Sequence, residues 1–61
     1  MSRLIELKHA ASDVEMAVAC LQDARSKLYG DQWLEHEVDT ALEQATTTLS
    51  SVRYTINHPE G

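Results

Sequence analysis

Sixty-one residues carrying ten acidic and five basic side chains, a net charge of −5, one cysteine and no phenylalanine leave room for one domain. Its core buries only about 60% of the surface that the unfolded chain exposes. The lone Cys20 excludes an internal disulfide, and the acidic balance argues against a non-specific grip on DNA or anionic membranes.

In the first half, apolar side chains recur at Leu4, Leu7, Ala11, Val14, Val18, Leu21 and Leu28, with Arg25 in the remaining slot. Steps that alternate three and four place them on one side of a helix, at the a and d positions of a heptad. Ala10, Ala17 and Ala24 form the adjoining g column, small enough to let another helix approach closely. The pattern predicts a helix over about 3–29. Ser12-x-x-Glu15 has the form of a capping box and offers an alternative helix start; the unbroken heptad favours continuity.

Gly30 can adopt the left-handed conformation that closes a helix, and Asp31 can accept hydrogen bonds from the free amides that open the next one. The bend is therefore expected at 30–31. From there the alternation returns at Glu35, Val38, Leu42, Ala45, Leu49, Val52 and Ile56, with Leu34, Ala41, Thr48 and Thr55 in the g column. A second helix is expected over about 32–57, ending near Asn57 because Pro59 disfavours a helical residue before it. The Thr and Ser cluster at 46–51 has weak helix propensity and marks a place where this helix can bend.

Facing residues of an antiparallel hairpin have numbers with a constant sum, and the pairs from Leu4/Ile56 through Ala11/Leu49 to Arg25/Glu35 all total 59 or 60. The fold class expected is all-α: an antiparallel two-helix hairpin that dimerises into a four-helix bundle, with the whole chain as one domain. Arg25 and Glu35 are expected to form an ion pair beside the bend, the alternative being two independently solvated charges. One hairpin leaves part of its apolar stripe in water, so a second copy is expected on the face made by Ala10, Ala17, Ala24, Ala41 and Thr48. Residues 16 to 43 hold six acidic and two basic side chains, against four and three in the terminal half. Antiparallel hairpins would thus set acidic bends beside less acidic ends.

Glu6-x-x-His9 has the spacing used by carboxylate-bridged metal bundles, but both residues fall at outward positions, as do His36 and Glu37. Cys20 is expected as a half-buried spectator thiol with no histidine placed to act as its base. No phosphate loop, nucleophile elbow or paired catalytic carboxylates are found, so neither an enzyme nor a cofactor is expected. Lys8 and Arg53 are expected to face each other, with Arg3 one turn away. That arrangement suits a nearby anion or side chains splayed into water.

Trp33, Tyr29, Tyr54, Met16 and Ile5 all lie off the hairpin seam, and aromatic side chains dominate binding hot spots. A protein partner is expected to dock on Trp33, Tyr29, Asp31, Glu35, Glu37 and Asp39, unless Trp33 and Tyr29 instead fold over the bend. Tyr54 would pack in the dimer or join a binding surface. With no apolar leader at the first residues and no 18-residue apolar run, a cytoplasmic protein away from membranes is expected.

The segment MSRLIELKHAASDVEMA leading into the Gly30 bend of a short acidic chain resembles the small early-region helical-hairpin proteins of lambda-like phages. That resemblance implies a non-enzymatic regulator directed at a host protein, and it assigns no residue. In length, acidity and expected architecture the chain is also similar to the plasmid copy-number RNA-binding hairpin Rop, without a residue-level match. Nucleic acid is nonetheless disfavoured, since only Arg3, Lys8 and Arg53 could meet phosphates and there is no Phe to stack on a loop base. A purely structural oligomerisation module is the third alternative.

Overall fold

The computed structural model describes residues 3–58. Two helices, α1 (Arg3–Lys27) and α2 (Gln32–Asn57), pack side by side as an antiparallel hairpin measuring 45 × 18 × 12 Å, with no strand among the described residues. The fold is all-α.

Burial follows the heptad. Every apolar a and d position from Leu7 to Ile56 is buried or half-buried, and the two most enclosed side chains, Ala11 and Leu49, form one of the expected layers. Pairing the smallest core residue with one of the largest lets the helices close at that level. At the open end the seam frays: Leu4 remains 40% exposed.

The reversal is built from backbone chemistry. Helix α1 gives way to a turn after Lys27, two residues earlier than the heptad suggests, and the Asp31 amide donates to the Leu28 carbonyl at 3.0 Å. Gly30 has φ of 95°, a backbone region that side-chain-bearing residues rarely adopt. Asp31 caps α2: its Oδ1 accepts from the Leu34 amide at 3.2 Å, and its carbonyl accepts the first helical bond from Glu35 at 2.8 Å. Leu28 and Asp31 thus satisfy three amides that the chain reversal would otherwise strand.

Both helices are continuous. Ser12 sits exposed within α1 and starts no new helix. In α2 the hydroxyls of Thr40, Thr46 and Thr55 donate to the carbonyls four residues earlier (His36, Leu42 and Ser51), so they are satisfied without breaking the helical ladder. The helix ends at Asn57; Pro59, to which that end was ascribed, lies outside the described residues.

Two expected contacts differ. Arg25 does not pair with Glu35: it reaches one turn further along α2 to Asp39, with Nε to Oδ1 at 2.5 Å and Nη2 to Oδ2 at 3.3 Å. Glu35 is drawn instead to the bend, where its Oε2 accepts from the Gly30 amide at 2.9 Å. The Gly30 amide lies in the turn just before the α2 cap, within reach of Glu35, while Arg25 has a long stem and a fork that fits a carboxylate edge-on. Arg53, likewise, does not simply oppose Lys8; it bridges to Glu15 on α1.

Candidate functional site

The bend end carries the expected docking residues, and the structure divides them into two groups. Asp31 is committed to the α2 cap, Glu35 to the Gly30 amide and Asp39 to Arg25. These three carboxylates hold the hairpin together. Glu37 is exposed on the outer side of α2, and no ion pair engages it among the described residues.

Tyr29 and Trp33 flank the glycine, one on each side of the reversal. They are 87% and 73% exposed, so neither folds over the bend to shield it. Two large aromatic side chains thus stand in water near the tip of the hairpin, covered by none of the described residues. His36 and Glu37 occupy the next turn of α2 and are exposed as well.

The Arg25–Asp39 bridge gives this end its one perturbed titration. Hydrogen bonding from Arg25 holds the Asp39 carboxyl below the ordinary carboxylate range, and the same bond raises Arg25. Both groups stay charged at neutral pH, and the bridge acts as a clasp between the helices rather than as an acid or base.

Along the sides of the hairpin the charges are unevenly placed. The bridges that cross from helix to helix, Arg25–Asp39 and Arg53–Glu15, involve the heptad e column on α2 and lie on one flank. The opposite flank carries Ala10, Ala17, Ala24, Leu34, Ala41, Thr48 and Thr55. Of these, Ala17, Leu34, Thr48 and Thr55 are exposed, while Ala10, Ala24 and Ala41 are half-covered by the hairpin itself. At its open end lies a depression of about 170 Å³ lined by Arg3, Leu4, Leu7 and Thr55.

Among the described residues no group of three or more His, Cys, Asp and Glu side chains could hold a metal ion. Glu6 pairs with Arg3 at 3.7 Å, and Cys20 is exposed rather than half-buried because the c column turns fully outward. Tyr54 engages His58: the rings stack with centroids 4.1 Å apart, and the His58 backbone N–H and Nδ1 both approach the Tyr54 carbonyl, closing α2. Their i, i+4 spacing at a helix end is the sequence signal for this contact.

No helix among the described residues is long and apolar enough to cross a membrane. No protein-family model, curated protein or solved structure matches the chain.

Proposed function

We propose that this chain is a non-enzymatic interaction protein, a dimeric helical hairpin that binds a cellular protein through Tyr29 and Trp33. The observation that carries this reading is the exposure of both aromatics at the bend. A partner that covers them gains the burial of two large apolar surfaces. Glu37 supplies the adjacent charge, while Asp31, Glu35 and Asp39 fix the backbone on which the aromatics are presented. A host protein is the kind of partner implied by the resemblance to early proteins of lambda-like phages.

A Rop-like grip on RNA draws less support. Four of the five basic side chains already face carboxylates, in the pairs Arg3–Glu6, Arg25–Asp39, Lys27–Asp23 and Arg53–Glu15. Each neighbouring carboxylate cancels potential that a phosphate would need.

The test is capture from lysate with the purified wild type, Trp33→Ala and Tyr29→Ala side by side. One protein species retained by the wild type and lost at least tenfold with Trp33→Ala is expected, since hot-spot aromatics cost about 2 kcal/mol or more on truncation. Equal capture by all three, or recovery of RNA whose binding weakens steeply with salt, would overturn the reading.

A further inference from the structure

The hairpin exposes 4831 Å². A compact folded monomer of its 6.8 kDa mass is expected to expose about 3,950 Å². The excess of roughly 900 Å² is close to the about 800 Å² that each partner contributes to a standard protein interface. An interface of that size would lie where charge does not oppose desolvation, and the two flanks differ in this respect. Ion pairs bridge one of them. The other, from Ala24 and Leu34 near the bend to Thr55 at the open end, is uncharged until Arg3.

Charge also distinguishes the two ways in which a two-fold axis could pair such flanks. With both bends at the same end, two segments that each hold six acidic and two basic side chains over residues 16 to 43 would meet. With bends at opposite ends, each acidic bend lies beside the other copy's open end and its Arg3, whose side chain is 80% exposed. The second arrangement lessens that repulsion, because the terminal half holds four acidic and three basic side chains.

The geometry points to a second copy of this chain as the occupant of the uncharged flank, packed with bends at opposite ends and with the two-fold axis crossing at Ala17 and Ala41. In that register Ala17 meets its own copy, Ala10 meets Ala24, Ala41 meets its own copy, and Arg3 comes level with the acidic bend. Small residues at the crossing let the helices approach closely, α1 on α1 and α2 on α2. This deepens the dimeric part of the proposed function. It is independent of the aromatic patch, which stays open at both tips of the assembly.

The test uses purified full-length chain in a Cys20→Ser background, so its outcome does not depend on whether Trp33 captures anything. Sedimentation equilibrium is expected to give twice the chain mass, and Ala17→Glu is expected to raise the dissociation constant at least about a hundredfold by placing two facing charges in a desolvated layer. Because Ala17→Glu could also unfold a chain that needs its partner, Ala17→Cys provides a second measurement. Under mild oxidation it is expected to form a covalent dimer with undiminished helicity, whereas Met16→Cys, on the outward side, is expected to remain uncrosslinked. A chain that sediments at monomer mass overturns the proposal. So does crosslinking that requires Ala17→Cys and Ala41→Cys together, the signature of bends at the same end.

Discussion

At residue 30 the backbone holds φ of 95°, and a Cβ added there would meet no atom within 4 Å. Any penalty for a side chain is therefore conformational rather than steric. Gly30→Ala is expected to destabilise the hairpin by about 1 to 2 kcal/mol. In a chain of this size each 1 kcal/mol lowers the thermal midpoint by about 4 to 8 °C, and a melt followed by circular dichroism reads the shift directly. An unchanged midpoint would mean that the reversal does not depend on the left-handed glycine. The Arg25–Asp39 clasp makes a separate expectation about pH. Because hydrogen bonding to Arg25 lowers the folded pKa of Asp39, its contribution to stability is fully present above the ordinary Asp value of about 3.9. It is lost as pH falls through the lower folded value. Urea midpoints measured between pH 7 and pH 2 should therefore drop on acidification, and Asp39→Asn should flatten the part of that drop lying below about pH 4. Parallel pH profiles for the two proteins would show that the clasp adds nothing.

At the scale of the helices, the chain's organisation is legible where packing is periodic and illegible where side chains are long. The a and d columns are covered as their spacing implies, and Asp31 caps α2 as its place after Gly30 implies, because both follow from backbone geometry that local sequence determines. Arg25 defeats the heptad. Its guanidinium extends beyond its own layer and finds Asp39 a turn away, while the stranded Gly30 amide takes Glu35. Pairing by layer assumes that side chains stay near their Cβ atoms, which holds for Val and Ala but not for Arg and Glu. Among the expected docking residues, exposed Tyr29 and Trp33 could be picked out as off-seam aromatics, but nothing in the local pattern separates structural acids such as Asp31 from an unengaged one such as Glu37. The continuity of α1 through Ser12 carries its own test. An exposed serine within a helix is a weaker helix former than alanine, so Ser12→Ala should stabilise the chain by roughly 0.5 kcal/mol. A serine that capped a new helix would instead lose about 1 kcal/mol on the same change. The sign of the shift in a denaturant melt distinguishes the two.

For the molecule as a whole, the decisive feature is how little it encloses. Only Ala11 and Leu49 are buried among the described residues, and no large side chain is fully buried. A core this small rarely supplies more than about 3 to 5 kcal/mol against the conformational entropy of ordering two long helices. In the proposed assembly the second copy adds to that core, and the folded chain is then linked to its own concentration. Thermal unfolding followed by circular dichroism over a thousandfold range of chain concentration tests this most directly. A midpoint that rises steadily with concentration is expected, with helicity falling away at the dilute end; a fully helical chain whose midpoint is the same at every concentration would contradict it.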